Sequence, residues 1–287
     1  MERETIAIIG CGAMGSAIAQ AAVRKRLFLP SQMLLVDRDS ARSRALADAL
    51  HARSCELTSA AVSQAAVFVV AVKPQDSELL LQDLASLAAN ETRLFISIMA
   101  GVSVATIESA LGGSNSVSVP VVRAMPNLPA QCGAGMSVYF AGEHVSEESR
   151  ERAQSIFETF GRTLQVREER MLDAATAISG TGPAYLYFLL EQLKSVALEI
   201  GFSEGEAALL LEQTVDGALA LWRETGKSPS ELVSTVASKG GTTEAALAVL
   251  NERGAALAVQ DAVRAAHARS VELGRRTKSN GSFTQKG

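Results

Sequence analysis

Apolar segments alternate with helix-patterned segments through the first half of the chain. Short runs rich in β-branched residues, such as Val67–Val72, predict strands that are buried on both faces of a sheet. The predicted strands are Thr5–Ile9, Met33–Val36, Val67–Val72, Leu94–Met99, Val117–Ala124, Met136–Phe140 and Thr163–Val166. The predicted helices are Ala13–Lys25, Ser40–Ala52, Asp76–Ala89, Val104–Leu111 and Glu147–Phe160. This alternation predicts a doubly wound, mainly parallel α/β sheet over residues 1–168.

The second half of the chain carries helical spacing only, from about Arg170 onward. Gly182 followed by Pro183 predicts a helix start, because proline suits the first helical position. Ser203 and Ser228 each open a capping-box pattern, so a further helix should follow each of them. The last two predicted helices are Thr243–Arg253 and Ala255–Gly274.

These helices predict an all-α domain over residues 169–274. They are so rich in Ala and Leu that apolar faces should remain after the monomer folds, which favours burial against another subunit. A self-contained bundle is the alternative. Residues 275–287 end in Gly, Ser, Asn and Gln and predict a disordered tail.

Composition narrows the class of protein. The chain has 287 residues, is 47% hydrophobic and has a formal net charge of −4, so it can bury a large core and lacks the basic surplus of a nucleic-acid binder. No apolar stretch is long enough to cross a membrane. Three widely spaced cysteines form no metal or redox motif, which fits a reduced, cytoplasmic setting.

The clearest motif is a glycine-rich turn between the first strand and the first helix. Gly10, Gly12 and Gly15 fit G-x-G-x-x-G, and Asp37 follows Gly15 by 22 positions at the end of the second strand. The free N–H groups at the start of that helix would face a pyrophosphate. This pattern predicts a Rossmann-type dinucleotide site, with a coincidental glycine-rich turn as the alternative. Its candidate residues are Gly10, Cys11, Gly12, Ala13, Met14, Gly15 and Asp37.

Three further segments follow predicted strands and should line the crevice at their carboxyl ends. Lys73 and Pro74 come after the third strand, where the ribose and nicotinamide of a cofactor would pass; an ordinary strand-to-helix turn is equally compatible. The fourth strand ends in small residues up to Gly101, which leave clearance for a flat ring. Asn127, bracketed by two prolines, offers a donor and an acceptor to substrate or nicotinamide, unless it bonds only its own backbone.

A separate loop in the helical half predicts an anion site. Gly240 and Gly241 precede a helix start, and Thr242 and Thr243 stand in its first turn. Bare N–H groups there would hold a small carboxylate. Thr242 as a simple helix cap is compatible with that interpretation.

In this order, the motifs resemble the pyrroline-5-carboxylate reductase family over nearly the whole chain, from Ile6 to about Leu273. The segments that carry the resemblance are Gly10–Gly15, Ala71-Val-Lys-Pro74, Arg123-Ala-Met-Pro-Asn127, Ser179-Gly-Thr-Gly-Pro-Ala-Tyr185 and Gly240-Gly-Thr-Thr243. The resemblance implies reduction of (S)-1-pyrroline-5-carboxylate to L-proline by NAD(P)H. It also implies a homodimer with interlocking helical domains, often assembled into a decamer.

The resemblance also implies roles for individual residues. Ser238, Gly240, Gly241 and Thr242 would bind the substrate carboxylate, and Thr243 would bond the ring nitrogen as the candidate catalytic residue. That loop would complete the site of the partner subunit. The residues implied to line the cofactor beyond the glycine turn are Ala71, Val72, Lys73, Pro74 and Ala100.

Two adjacent residues bear on the cofactor preference, and they favour different cofactors. Asp37 would bind a ribose 2′-hydroxyl and repel a 2′-phosphate, which favours NADH. Arg38 would pair with that phosphate, which favours NADPH. The family more often uses NADPH, so NADP(H) is expected and NAD(H) stays open.

The chain departs from the family pattern at three positions. Lys239 stands where the family usually has Pro and Leu128 where it commonly has Thr, and near Thr58 the family often has an Asn that helps hold the cofactor. Lys239 would loosen the substrate loop or add a positive charge beside the carboxylate. Leu128 has no polar role, and the cofactor contact near Thr58 is in doubt.

Three other functions compete with this interpretation. A β-hydroxyacid dehydrogenase needs a Lys soon after the glycines at 180 and 182, whereas Lys194 comes much later. A related imine reductase would share the cofactor half but not the Gly240–Thr243 loop. A nucleotide-sensing scaffold would need neither that loop nor Asn127.

Overall fold

The computed structural model describes residues 4–58, 60, 62–88, 93–112 and 118–280. The predicted helix end at Ala89, the predicted strand start at Val117 and residues 281–287 of the predicted tail lie outside these residues. The chain forms two compact units, one of residues 1–181 with 266–287 and the other of residues 182–265. The domain boundaries proposed from the sequence stay predictions.

The first unit contains an eight-stranded sheet among its described residues, in the order β3-β2-β1-β4-β5-β6-β7-β8. The strands are β1 (Ile6–Ile9), β2 (Met33–Val36), β3 (Arg53–Ser54), β4 (Val67–Val70), β5 (Leu94–Ser97), β6 (Val121–Met125), β7 (Gly135–Ala141) and β8 (Gly161–Gln165). Neighbouring strands run parallel except at the pair of β6 and β7, which is antiparallel. The expected mainly parallel α/β sheet is therefore confirmed.

Helices cover this sheet and then form the second unit. Those of the first unit are α1 (Ala13–Arg24), α2 (Ser40–Leu50), α3 (Ser77–Ala88), α4 (Val104–Gly112), α5 (Glu147–Glu158) and α6 (Met171–Ala175), which continues as a π-helical turn over Thr176–Gly180. The later helices are α7 (Gly182–Glu199), α8 (Glu204–Thr225), α9 (Pro229–Val236), α10 (Thr242–Glu252) and α11 (Ala255–Asn280).

Each face of the sheet has its own core, which explains the continuous apolar strands. Ile6 and Ile8 of β1 pack in a cluster with side chains of α1 and α5, such as Ile18. Ala7 and Ile9 point the other way, into a cluster with side chains of α3 and α4. A strand covered on both sides needs no polar positions, so its sequence does not alternate.

The second unit has little core of its own. Ala207 is the one buried residue among the described residues of α7, α8, α9 and α10. Large apolar side chains on these helices are exposed instead, including Leu186, Tyr187, Phe188, Leu189, Leu209 and Trp222. Exposed apolar surface of this extent is typical of an interaction surface.

Two features of the C-terminal half differ from the sequence prediction. The short helix α6 and the π-turn after it were not predicted, because the segment is too short for a periodicity to show. The predicted end of the last helix at Gly274 is wrong: α11 continues to Asn280, so residues 275–280 of the expected disordered tail are helical. Gly274 lies against the backbone of Gly101, so close packing rather than helix termination explains this glycine.

Candidate functional site

The glycine turn after β1 leaves the N-terminus of α1 open. Gly10 has φ +99° and donates its N–H to the Val36 carbonyl oxygen across 2.8 Å. Gly12 is the N-cap of α1, has no side-chain cap, and would meet no heavy atom within 4 Å if it carried a Cβ. A Cβ on Gly15 would overlap the Gly10 carbonyl, so the helix approaches the turn as the motif predicts. The bare helix start and the open space above Gly12 fit a pyrophosphate.

Asp37 stands at the carboxyl end of β2 and is tied to the glycine turn. Its Oδ2 accepts the Cys11 N–H at 2.7 Å, and its Oδ1 accepts the Asp39 N–H at 2.9 Å. Arg42 lies 3.9 Å from the same carboxylate, which is only 10% exposed. Asp37 therefore holds the turn in shape and carries less unbalanced negative charge than its sequence position suggests.

Arg38 extends from the same strand end into solvent. Its side chain is 89% exposed, and its Nη1 lies 3.1 Å from Oδ1 of Asp76. Asp76 belongs to the short turn that follows β4 and contains Pro74. The cation expected to read a 2′-phosphate is thus already paired with a carboxylate.

Cys11 is buried within the glycine turn. Its Sγ contacts the Val36 carbonyl oxygen at 3.7 Å. Burial, with a smaller contribution from the Asp37 carboxylate, raises the pKa of the Cys11 thiol to about 12. Because the thiolate is the reactive form, Cys11 serves packing rather than redox chemistry.

The segment after β4 lies beside the glycine turn. The Ala71 N–H bonds the Ile9 carbonyl oxygen at 2.8 Å, and a Cβ on Gly10 would come within 2.6 Å of the Ala71 carbonyl oxygen. Lys73 is the N-cap of the following turn and Pro74 takes its first position. The structure thus brings Gly10 and Ala71 together at one edge of the sheet, and Val72 continues from there.

Ala100 and Gly101 form the turn after β5, at the same edge of the parallel sheet. Gly101 is buried and has φ +76°. The Met99 N–H bonds the Ser97 hydroxyl at 3.3 Å, which tightens the strand end. Small residues in this turn leave the clearance that a flat ring requires.

The amide of Asn127 is turned into the protein. Its Oδ1 accepts the Met136 N–H at 2.8 Å, and its Nδ2 donates to the Ser179 carbonyl oxygen at 3.0 Å. It does not bond only its own backbone, which was the alternative drawn from the sequence. Its acceptor oxygen and one amide hydrogen are engaged within the protein.

In the second unit, α10 begins without a side-chain cap. Gly241 is the N-cap and donates its N–H to the Ser238 carbonyl oxygen at 3.0 Å, and a Cβ on Gly241 would overlap the Ser238 hydroxyl. The Gly240 N–H bonds Oε2 of Glu244 at 2.5 Å. Thr243 is half-buried and Thr242 is exposed. A carboxylate already accepts from this loop, which is the chemistry expected of a substrate acid.

Sequence reasoning missed several contacts that shape these sites. Asp76 and Ser179 contact residues 38 and 52 positions away, and Arg42 lies beside Asp37, five positions earlier. Ser179 belongs to a segment that carries the family resemblance, but no local pattern indicates which residue it contacts. Among the described residues, no group of three or more His, Cys, Asp or Glu side chains could hold a metal ion. Nor does any described helix have the length and apolar composition to span a bilayer.

Comparison with known families matches two parts of the chain. Residues 169–273 match the model described as pyrroline-5-carboxylate reductase dimerisation. Residues 5–101 match the model described as NADP oxidoreductase, coenzyme F420-dependent. The second match covers the glycine turn, Asp37 and the turn at Ala100.

Similar proteins cover nearly the full length of the chain. The pyrroline-5-carboxylate reductase of Synechocystis sp. is 36% identical over 272 residues, which cover 94% of this chain and 98% of that protein. A reductase structure from Coxiella burnetii has a TM-score of 0.85 and 31% identity over 95% of this chain and 99% of that one. The Plasmodium falciparum pyrroline carboxylate reductase, solved with NADP bound, has a TM-score of 0.85 and 25% identity over 96% and 99%.

Proposed function

This chain belongs to the pyrroline-5-carboxylate reductase family, and we propose that it catalyses the NAD(P)H-dependent reduction of (S)-1-pyrroline-5-carboxylate to L-proline, the last step of proline biosynthesis. The observation that carries the proposal is a pair of uncapped helix starts, at Gly12 and Gly241, within a chain that matches a family member over 94% of its length. The reaction needs one such start for a pyrophosphate and one for a carboxylate.

The first unit supplies the cofactor site. The open N-terminus of α1 takes the pyrophosphate, and the turn at Lys73 and Pro74 lines the ribose and nicotinamide. Ala100 would line the space that the nicotinamide occupies. The bound nicotinamide supplies the hydride for the C=N carbon, and the protein contributes binding and orientation. The cofactor-binding residues we propose are Gly10, Cys11, Gly12, Ala13, Met14, Gly15, Asp37, Arg38, Ala71, Val72, Lys73, Pro74 and Ala100.

The loop before α10 supplies the substrate site. Ser238, Gly240, Gly241 and Thr242 bind the carboxylate through hydroxyl and N–H groups, which displaces Glu244 from the Gly240 N–H. The Thr243 hydroxyl bonds the ring nitrogen and orients the imine. An alcohol is a weak acid, so the proton comes from solvent or from an already protonated imine.

Asn127 supports the substrate site in a different way from the sequence interpretation. Its carbonyl oxygen and one amide hydrogen hold Met136 and Ser179, which leaves one amide hydrogen for a ligand. Its main contribution is therefore to fix the loop at the end of β6.

NADPH is the cofactor we expect, with NADH remaining open. Asp37 has both oxygens bonded to backbone N–H groups and is flanked by Arg42, which reduces its repulsion of a 2′-phosphate. Arg38 is exposed and free to rotate from Asp76 toward that phosphate. The surrounding charge is thus compatible with NADPH.

The working assembly is a dimer, with a decamer as the higher assembly. The second unit exposes its apolar helix faces, and a second copy of this chain covers them. The loop at Thr243 then completes the site of the partner. The reduced cysteines suit the cytoplasm, and neither nucleic acid nor a membrane is part of this function.

The test is consumption of NADPH or NADH by the purified protein when the cyclic imine is added, followed by absorbance of the reduced nicotinamide. The expected result is imine-dependent oxidation with proline as the product. A pyrroline lacking the carboxylate serves as the matched control and should react much more slowly. Absence of turnover with the carboxylated imine would contradict the proposal.

A further inference from the structure

The turn at Ala100 and Gly101 rests directly on the backbone of α11. A Cβ on Gly101 would lie 3.1 Å from the Gly274 amide nitrogen and 3.2 Å from the Leu273 carbonyl carbon. Contacts this short are tighter than a side-chain carbon usually makes, and the φ of +76° at Gly101 also favours glycine. The backbone of α11 at Leu273 and Gly274 therefore forms a packed surface under the turn, here called its floor, and this surface prevents the turn from moving toward α11.

The exit of the same turn is held by a carboxylate from a distant part of the chain. Oε1 of Glu169 accepts the N–H of Val104, the first residue of α4, at 2.9 Å. The same oxygen lies 2.7 Å from Nη1 of Arg123 on β6. One atom thus joins the helix that follows the turn to the neighbouring strand of the sheet.

Burial makes this connection strong. The Arg123 side chain is 10% exposed and the Glu169 side chain 25% exposed, so water screens the pair much less than it screens a surface pair. A carboxylate at a helix N-terminus also interacts favourably with the positive end of the helix dipole. Glu169 satisfies the cation and the helix start together.

A second bond ties α6 to α11 next to the floor of the turn. The Ser270 hydroxyl, buried on α11, donates to Oδ1 of Asp173 at 2.7 Å. One cavity of about 250 Å³ is lined by residues from both places, among them Gly101, Arg123, Glu169, Asp173 and Gly274. The residues that hold the exit and the floor are therefore parts of one cluster.

We propose that Glu169 is a positioning residue for the reaction: it fixes the Ala100–Gly101 turn, and with it the wall against which the nicotinamide lies. The inference rests on the proposed function, because that function places Ala100 at the nicotinamide. Glu169 touches neither substrate nor cofactor; it acts through Val104 and Arg123. A wall displaced by a fraction of an ångström moves the nicotinamide away from the imine carbon, which slows hydride transfer.

The test uses Glu169→Gln in the full-length protein. The amide oxygen still accepts the Val104 N–H, but the buried Arg123 loses its counter-ion. We expect kcat to fall by roughly 10-fold, because misplacement of reacting groups is costly. The KM for the imine should stay within about two-fold of the wild-type value, because the substrate loop is unchanged. The primary isotope effect with 4-deuterated cofactor should increase, since hydride transfer becomes more rate-limiting.

A second measurement needs no cofactor. Hydrogen exchange of the peptide spanning residues 99–104 in the free protein should become faster in Glu169→Gln. Ile156→Val, a truncation in the buried face of α5, is the control for general destabilisation and should leave both readouts unchanged. If Arg123 and Glu169 act as one unit, the double variant with Arg123→Met and Glu169→Gln should have nearly the same kcat as Glu169→Gln alone.

Three results would overturn the inference. The first is a kcat of Glu169→Gln within two-fold of the wild-type value. The second is unchanged hydrogen exchange at residues 99–104. The third is a decrease in kcat no larger than the decrease in Ile156→Val. A wild-type protein that never reduces the imine would instead contradict the proposed function. The exchange measurement would still report whether Glu169 holds the turn.

Discussion

The side-chain amide of Asn127 donates to the carbonyl oxygen of Ser179 across 3.0 Å, although the two residues are 52 positions apart. Asn127 leads out of β6, and Ser179 lies in the π-helical turn before α7. The other end of the amide accepts the Met136 N–H at the start of β7. One side chain therefore joins three segments at the carboxyl end of β6, and π-helical turns of this kind are frequent at functional sites.

Asn127→Asp should destabilise the protein. The carboxylate keeps an acceptor for the Met136 N–H but places a second oxygen against the Ser179 carbonyl, where the amide had donated. The expected loss is on the order of 1 kcal/mol in urea denaturation, the lower end of the range for a buried polar group left without its partner, because Asn127 and Ser179 are only half-buried.

Gln131→Glu, an exposed amide-to-acid change in the same loop, is the control for added charge. It should change the stability by less than about 0.5 kcal/mol. Equal stability of Asn127→Asp and the wild type would mean that the bond to Ser179 contributes nothing in solution.

Thr243→Ala should lower kcat/KM for the imine by one to two orders of magnitude, about 1.4–2.7 kcal/mol of transition-state stabilisation. The side chain is half-buried, and the start of α10 shows no side-chain cap, so its removal should affect the substrate more than the helix. Steady-state kinetics checks this expectation. Thr235→Ala on α9, whose hydroxyl bonds the Glu231 carbonyl, is the matched control. Unchanged turnover would remove Thr243 from the reaction.

Arg38→Ala should lower kcat/KM with NADPH by roughly 10-fold and leave NADH unchanged, because a charged hydrogen bond to the 2′-phosphate is lost. Asp76→Asn should act in the opposite direction. It releases Arg38 from an exposed ion pair worth about 0.2–1 kcal/mol, so the KM for NADPH should fall by up to about five-fold. Arg44→Ala, on the exposed face of α2, is the control. Full activity of Arg38→Ala with NADPH would exclude Arg38 as the residue that reads the phosphate.

Glu108→Gln should stabilise the protein at neutral pH. Burial raises the pKa of the Glu108 carboxyl; Glu143 and Glu169 add to the shift and His144 opposes it. Oε1 of Glu108 is buried with no hydrogen-bond partner. Ionisation therefore favours the unfolded chain. The contribution of Glu108 to the free energy of unfolding is fully present below its pKa in the unfolded chain. It is lost as pH rises through the higher pKa in the folded protein.

The gain from Glu108→Gln should be about 1 kcal/mol at most, because the group is only partly buried. It should disappear below roughly pH 4, where the carboxyl is neutral in both states. Urea denaturation at several pH values measures it, with the exposed Glu151→Gln as control. A stability difference that does not vary with pH would refute the explanation.

Local patterns predicted much of the fold. The bounds of β2 were predicted without error, and α1 ends only one residue earlier than predicted. Such elements are predictable because their hydrophobic spacing and end signals lie within a few residues of one another. The capping boxes at Ser203 and Ser228 are both present. Gly274 misled the prediction, because a glycine that ends a helix and one that lets two backbones touch look the same in sequence.

The candidate site was predictable only in part. The glycine turn and the start of α10 follow from short motifs, whereas the residue roles assigned by resemblance stay predictions. Nothing near Asn127 in the sequence points to Ser179, and nothing near Glu169 points to Val104 or Arg123. These pairings arise when the sheet brings strand ends together.

The amino-acid sequence by itself determined the order of the longer strands and helices, the glycine motifs at the two helix starts and the family, because these depend on short-range spacing and composition. The tertiary structure alone decided which polar groups are satisfied by which partners: Asp37 by Cys11, Asn127 by Ser179, and Glu169 by Val104 and Arg123. The physical reason is that a hydrogen bond or ion pair depends on distances of about 3 Å between atoms far apart in the chain. Such distances exist only after the sheet and its helices have packed.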